Sequence, residues 1–322
     1  ITIDALRIEQ IGKDESAAMA AGAATAVVGW WSGYKLGGLI TLVTADWIQS
    51  LGYNNYWQIS FIIICSIVIL CNIGLFFIPE SGTDERILSQ QKDQADIQNQ
   101  IGVSGNFGRL LAWFTATIIS PLFSFFKKNG VAIGLSILGF IFLFKIGEAF
   151  LGRMSILFYK EIGFSKSDIA LYSKGLGWIT TVSFTLVGGW FAIKAGVIRA
   201  LFVSGIIMAL TNLMFTFLAW SGKSELLFAA AVLLDDLAAA FATVAFVSFI
   251  SMLVDRNYTA TQYALLASIG TAGRTLMASS SGALVDWLNG DWGTFFIITA
   301  LMVIPSLVLL WFIRKKIVLK VN

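Results

Sequence analysis

The stretch LLFAAAVLLDDLAAAFATVAFVSFISML, residues 226–253, is apolar along almost its whole length but carries two adjacent carboxylates, Asp235 and Asp236, near its middle. About 20 predominantly apolar residues in a helix cross the hydrocarbon core of a bilayer, so the stretch predicts a transmembrane helix. An aspartate at the centre of such a helix costs about 2.5–3.5 kcal/mol of insertion free energy. We therefore expect the two acids to face a cavity or a partner and to serve a function.

The composition extends this prediction to the whole chain. Of its 322 residues, 57% are hydrophobic and only 13% are charged, whereas soluble globular proteins carry about 25% charged residues. We therefore expect an all-α membrane protein within a lipid bilayer, and the net charge of +3 does not indicate nucleic-acid binding. Histidine is absent, which removes the commonest metal ligand and general base. We expect no metal, no cofactor and no enzymatic activity. Cys65 and Cys71 share one apolar run and are expected to be buried small hydrophobic residues rather than a disulfide.

Eight apolar runs are long enough to span a membrane, and short polar turns join most of them. The predicted spans are residues 18–46, 56–79, 131–158, 167–193, 198–220, 226–253, 259–286 and 292–313.

One connection is long and polar. Residues 80–105 are rich in glutamine and almost free of aromatic residues, which is typical of a flexible linker. The segment that follows, NFGRLLAWFTATIISPLFSFFKKNG, is either a ninth span or a helix lying in the membrane interface and bent at Pro121. We favour the interfacial helix because it keeps Arg109, Lys127 and Lys128 on one side of the membrane.

Basic residues in the connections are distributed asymmetrically between the two sides that alternating spans define. One side holds only Lys160, Lys166 and Lys223, and the other holds most of the rest, including the linker and the C-terminal residues 314–316. By the positive-inside rule, the linker and the C-terminus are cytoplasmic.

Two predicted spans precede the linker and six follow it, whereas many transporters join two halves of six helices. We interpret residues 1–79 as the remainder of an N-terminal half (the end of helix 4 and helices 5 and 6). Residues 80–130 are the linker with its interfacial helix, and residues 131–322 are the complete C-terminal half. The chain begins ITIDAL without a methionine, so an N-terminal truncation is expected.

Six segments, in this order, resemble the AmpG-type muropeptide permeases of the major facilitator superfamily. They are ITIDALRIE, FKIGEAFLG, GFSKSDIALYSKGLG, LLDDLAAAFATVAFVSFISML, ATQYALLASIGTAGRTLMASSSGALVD and FFIITALMVIPSLVLLW. One departure is Asp236, where the family pattern has an asparagine after the acid.

The resemblance implies a monomeric carrier in the bacterial inner membrane. It would import anhydro-muropeptides (GlcNAc–anhydroMurNAc with or without peptide) for cell-wall recycling, driven by proton symport. The wider family also holds carriers of acetyl-CoA and siderophores, so another substrate remains open, as does a non-transporting receptor on the same fold.

Charged residues inside predicted spans are the first candidates for proton coupling or substrate binding. Lys145 and Glu148 are three residues apart and can pair, either only to neutralise each other or with Glu148 exchanging a proton in a cavity. Asp235 and Asp236 lie about 100° apart on a helix, so we expect one to carry a proton or contact substrate and the other to pair with a cation, for which Arg274 is the candidate. The site candidates are Asp235, Asp236, Glu148, Lys145 and Arg274, with Asp4, Arg7, Gln262 and Lys174 as secondary candidates.

The secondary candidates keep alternative interpretations. Asp4 and Arg7 lie near the predicted cytoplasmic surface. There they could form a gating or structural network of charges as well as bind substrate. Lys174 lies near the other surface and can extend its amine to water. Gln262 and Ser279–Ser281 are predicted hydrogen-bond donors to sugar hydroxyls, with packing as the alternative. Lys35 is a further intramembrane charge, in GWWSGYKLGG, whose glycines at 29, 33, 37 and 38 predict close helix packing.

Overall fold

The computed structural model describes residues 2–12, 15–78, 110–165 except 112, and 177–321, together with the single positions 88, 92 and 169; side chains are described up to residue 317. Within these residues, the regular structure is helical throughout. The α-helices are α1 (Thr2–Gln10), α2 (Ser16–Ser50), α3 (Tyr56–Leu75), α4 (Ser120–Asn129), α5 (Val131–Leu143), α6 (Ile146–Ile162), α7 (Gly177–Ala195), α8 (Val197–Ser221), α9 (Glu225–Leu253), α10 (Thr259–Ala278), α11 (Ser281–Trp287), α12 (Trp292–Leu301) and α13 (Ile304–Val321).

The helices confirm a multi-pass membrane protein. Five helical segments in the described part of the chain are long and apolar enough to cross a membrane: Tyr56–Leu75, Val131–Ile162, Val197–Ser221, Glu225–Leu253 and Trp292–Ile317. The other three predicted spans, 18–46, 167–193 and 259–286, overlap α2, α7 and α10–α11 but are not among these five. The number of eight crossings therefore stays a prediction.

Three of the predicted spans are broken into two helices. Phe144 and Lys145 separate α5 from α6, Ser279 and Ser280 separate α10 from α11, and Met302 and Val303 separate α12 from α13. The last break precedes Pro305, which has no N–H for the helix ladder. At the second, the hydroxyls of Ser279, Ser280 and Ser281 donate to backbone carbonyls three residues earlier, at 2.6–2.7 Å. Such back-bonding is known to bend helices.

A π-helical turn lies directly before Pro121, the residue at which the sequence predicts a bend. The turn spans Thr115–Ile119 and runs directly into α4, whose second residue is Pro121. A proline ring displaces the carbonyl that would otherwise accept the missing bond, and a widened turn accommodates it. Phe125 of α4 is buried in the apolar core with Ile137 and Phe140 of α5. The linker residues 80–105 lie outside the described residues except for positions 88 and 92, and the interfacial location of this helix stays a prediction.

α2 contacts α7 and α9, and these contacts, which we call the seam, join the chain before the linker to the chain after it. At the seam, a Cβ built on Gly189 of α7 would lie 2.5 Å from the Cβ of Ala24 on α2, so only glycine allows this approach. The predicted packing of glycines 29, 33, 37 and 38 is not seen, because no described atom lies within 4 Å of a Cβ built on any of them.

α3 contacts α2, and most of its side chains are exposed. Cys65 and Cys71 lie on this helix as free cysteines. The expectation that they are buried was wrong, since both are exposed. An apolar run predicts a helix but not which neighbours cover it.

Candidate functional site

The break between α5 and α6 puts a lysine inside the protein. Lys145 is only 6% exposed, and it lies between Phe144 and Ile146, which belong to two separate apolar cores. Its Nζ donates to the Thr243 hydroxyl on α9 at 2.7 Å and lies 3.0 Å from Oε2 of Glu148. The pairing predicted from the three-residue spacing is therefore present, and Lys145 also ties α6 to α9.

Glu148 is shared between two cations. A guanidinium nitrogen of Arg274 on α10 lies 3.7 Å from Oε1 of Glu148, on the carboxylate that also pairs with Lys145. The Arg274 side chain is 48% exposed, against 15% for Glu148. Among the described residues, Arg274 pairs with Glu148 and not with the aspartate that the sequence analysis expected. Arg274 is thus a half-exposed cation that an internal carboxylate holds in place.

A close helix contact brings Arg274 to this position. A Cβ built on Gly273 would lie 2.0 Å from the carbonyl oxygen of Phe142 in α5. The backbones of α10 and α5 therefore approach each other just before the break at Lys145. A larger residue at this position would separate the two helices and move Arg274 away from Glu148.

The two aspartates have different surroundings, as their angular separation on α9 predicts. Oδ2 of Asp236 accepts a hydrogen bond from the Thr180 hydroxyl on α7 at 3.1 Å. Asp235 lies within electrostatic range of Glu148, Asp236 and Lys145. Among the described side chains, none donates a hydrogen bond to Asp235. We call Lys145, Glu148, Arg274, Asp235 and Asp236 the central cluster.

Lys35, which the sequence analysis names as an intramembrane charge but not among the site candidates, contacts α7. It lies near the middle of α2, its Nζ donates to the Thr181 hydroxyl on α7 at 3.0 Å, and it stands 5.2 Å from the ring centre of Trp31. The neighbouring residue Thr180 is the donor to Asp236. Adjacent residues of α7 thus connect a cation before the linker with an acid after it. The available signal was a lysine in the middle of a long helix.

Asp4 and Arg7 form a second network, away from the central cluster. They lie 3.5 Å apart on α1, and Arg7 donates to the Ser251 hydroxyl near the end of α9 at 2.9 Å. Arg256, which the sequence analysis missed, donates to the carbonyl oxygens of Glu9 and Ile11 and so caps the end of α1. This network joins α1 to the turn between α9 and α10.

Gln262 lies in a structural position. Its side chain is buried, its Oε1 accepts from the backbone N–H of Asp255 at 2.7 Å, and its Nε2 donates to the carbonyl of Pro121 at 2.9 Å. The hydroxyls of Ser279–Ser281 likewise donate hydrogen bonds to backbone carbonyls. These groups are therefore already bonded within the protein. Lys174 lies outside the described residues, and within the described ranges no group of acidic or cysteine side chains could hold a metal ion.

Comparison with known proteins identifies the family of the chain. The family description "Major Facilitator Superfamily" matches residues 12–277. The chain is similar to putative transporter AmpG 4 of Rickettsia felis, with 31% identity over 98% of this chain and 69% of that protein. It is 30% identical to the AmpG 4 protein of Rickettsia conorii over the same shares.

A third relative is the anhydromuropeptide permease of Escherichia coli K12, which is 27% identical over 98% of this chain. The chain spans 57% of that permease's length. The family match covers most of the described helices, and the similarity to AmpG-type proteins extends along nearly the whole chain. The chain therefore belongs to the Major Facilitator Superfamily of transporters and, within it, to the AmpG-type proteins.

Proposed function

We propose that the protein imports anhydro-muropeptides, GlcNAc–anhydroMurNAc with or without peptide, across the bacterial inner membrane for cell-wall recycling. The observation that carries the proposal is Glu148, a carboxylate held inside membrane helices between Lys145 and the half-exposed Arg274. The E. coli relative's name supplies the substrate class. A sugar bearing a carboxylate suits the half-exposed Arg274, because a guanidinium binds a carboxylate with two parallel hydrogen bonds.

The proposed architecture is that of a monomeric carrier with alternating access. Residues 1–79 contribute the end of helix 4 with helices 5 and 6, residues 80–130 are a cytoplasmic linker, and residues 131–322 contribute six helices. Together these give eight crossings, with the C-terminus in the cytoplasm, as the distribution of basic residues predicts. The central cluster then lies near the middle of the membrane, where carriers of this architecture bind their substrates.

We propose further that Asp235 carries the coupled proton. Proton symport requires a carboxylate that is protonated in one state of the cycle and ionised in another. Asp236 is engaged by Thr180, and Glu148 is held by two cations. Asp235 faces these charges without a described hydrogen-bond donor of its own. When Asp235 is protonated, it does not compete with the substrate's carboxylate for the cations of the cluster. When Asp235 loses the proton, its negative charge repels that carboxylate.

The proposal is tested by uptake of radiolabelled GlcNAc–anhydroMurNAc–tripeptide into membrane vesicles that contain the full-length protein. We expect accumulation that requires an inward proton gradient and that unlabelled muropeptide, but not acetyl-CoA or a siderophore, inhibits. Vesicles without the protein are the control. Binding of muropeptide without uptake would favour the receptor alternative. Inhibition by acetyl-CoA or a siderophore, but not by unlabelled muropeptide, would show that the carrier has one of those compounds as its substrate instead.

A further inference from the structure

The start of α8 and the end of α13 lie side by side. The rings of Phe202 on α8 and Trp311 on α13 pack edge to face, with their centroids 6.2 Å apart. Further along α8, a Cβ built on Gly205 would lie 2.7 Å from the side chain of Leu307 on α13. The contact positions rise along α8 while they fall along α13, so the two helices are antiparallel. The start of α8 and the end of α13 therefore share one end of the molecule.

Two arginines lie at this shared end, beyond the ring pair. Arg199 precedes Phe202 by three residues, and Arg314 follows Trp311 by three residues. Each arginine is thus on the same helix face as its ring and about 4.5 Å nearer the shared end. The Arg314 guanidinium is stacked on Trp311, with its carbon 3.1 Å from the ring centre, and Arg199 is exposed. Two positive charges therefore lie at one level on neighbouring helices.

The acidic residues of the protein do not balance these charges. Residues 169–224 and 292–322 contain no aspartate or glutamate, and the exposed Lys315 and Lys316 directly follow Arg314. Within the described ranges, none of the ion pairs involves Arg199 or Arg314. A guanidinium binds a phosphate through paired, charge-assisted hydrogen bonds. This end of the molecule thus suits a phosphate-bearing anion.

The surface next to the arginines is apolar, which selects a lipid over a soluble phosphate. On α8, Ile206 and Leu210 are exposed one and two turns after the ring pair, and on α13, Val308 and Ile304 are exposed one and two turns before it. In a membrane these side chains face acyl chains, and exposed tryptophans such as Trp311 concentrate at the level of the headgroups. A phosphate at the arginines therefore has acyl chains directly beside it.

We propose that Arg199 and Arg314, together with Trp311, form a site for the headgroup phosphate of an anionic phospholipid such as phosphatidylglycerol. Basic groups between membrane helices bind anionic headgroups in this way. A zwitterionic headgroup carries its own cation, which the arginines repel. A phosphate shared by the two arginines would also hold α8 against α13. The site lies apart from the central cluster on α6, α9 and α10 and does not depend on the transported molecule.

The test counts lipids bound to the full-length protein by native mass spectrometry in detergent. Phosphatidylglycerol and phosphatidylcholine with identical acyl chains are titrated into the wild type, Arg199→Gln, Arg314→Gln and the double variant. The matched control is the double variant Arg153→Gln/Lys160→Gln, which removes the same charge at two exposed positions of α6. Soluble glycerol phosphate is added in excess as a competitor. The unfolding midpoint in phosphatidylcholine alone checks that each variant is folded.

We expect the wild type and the control to bind the first phosphatidylglycerol about tenfold more tightly than phosphatidylcholine. Each single variant should weaken phosphatidylglycerol binding by about threefold, and the double variant should lose the preference while its phosphatidylcholine binding is unchanged. The proposed site is wrong if the wild type shows no preference, or if the arginine variants keep it. Displacement of the bound lipid by glycerol phosphate would show a site for soluble phosphate and would equally overturn the lipid site.

Discussion

At the scale of single residues, the central cluster depends on the negative charge of Glu148. This carboxylate is the shared partner of Lys145 and Arg274, and removing one partner of a buried ion pair costs about 3–5 kcal/mol because the other charge remains. We predict that Glu148→Gln lowers muropeptide uptake at least about tenfold, while Glu148→Asp, which keeps the charge, retains a measurable part. Initial uptake rates in vesicles at equal protein amounts are the measurement.

The matched control for this change is Glu225→Gln, which neutralises an exposed acid in the first turn of α9. Its uptake rate should stay close to that of the wild type. If Glu148→Gln transported as fast as Glu225→Gln, the pair would serve only to neutralise the helix, which is the alternative that the spacing alone leaves open.

Gln262 gives a prediction about stability rather than binding. Its amide bonds to the backbone N–H of Asp255, in a partly buried position, and to the carbonyl of Pro121, in a buried one. Gln262→Leu leaves two backbone groups unpaired, so we expect it to lower the free energy of unfolding by about 2 kcal/mol or more. The thermal unfolding midpoint in detergent measures this, with the exposed Gln49→Leu as control. An unchanged midpoint combined with weaker muropeptide binding would instead support the sugar-binding role that the sequence suggests.

The sequence predicted the local part of the site but not its long-range part. The pair Lys145–Glu148 follows from a three-residue spacing on a helix. The contact of Arg274 with Glu148 joins residues far apart in the chain and depends on the backbone approach at Gly273, which no local pattern reveals. The partners of Gln262 were not predicted for a related reason, because they lie in α4 and in the turn after α9.

At the scale of helices, the approach of α10 to α5 is the contact that positions Arg274. Gly273→Ala places a methyl group where the Phe142 carbonyl now lies. Overpacking of this kind costs about 1–3 kcal/mol and shifts the helices apart. We predict a lower unfolding midpoint together with reduced uptake, since Arg274 moves away from Glu148.

Gly282→Ala is the control for this change, because no atom lies within 4 Å of a Cβ built at that position. Alanine is also the better helix former, by about 1 kcal/mol, so this variant should be as stable as the wild type or more so. If Gly273→Ala and Gly282→Ala had the same unfolding midpoint and the same uptake rate, the close approach of α5 and α10 would not be what positions Arg274.

The apolar runs predicted where helices lie but not where they break. A hydrophobicity pattern is unchanged across Phe144–Lys145 or Met302–Val303, since both sides of each break are apolar. Pro121 and Pro305, which lack a backbone N–H, are the sequence signals for the π-helical turn and for the break between α12 and α13. The break that matters most for the site, at Lys145, has no such signal before it.

At the scale of the whole molecule, the seam connects Lys35 on α2 to Asp236 on α9 through the neighbouring residues Thr180 and Thr181 of α7. The α1 network of Arg7 and Arg256 joins the same two parts of the chain at another position. Composition and apolar runs predicted a membrane protein and its helices. They could not predict these connections, because pairing between distant helices depends on tertiary packing rather than on local pattern.

The central claim is that the cluster couples substrate movement to protons through Asp235, and one comparison tests it most directly. Full-length wild type and Asp235→Asn are reconstituted in vesicles, and labelled muropeptide is followed in two assays: accumulation driven by a proton gradient, and exchange against unlabelled muropeptide without a gradient. Accumulation requires net proton movement, whereas exchange does not. We predict that Asp235→Asn loses accumulation and keeps exchange, with Asp236→Asn impaired less in accumulation. Gradient-driven accumulation by Asp235→Asn at the wild-type level would contradict the account.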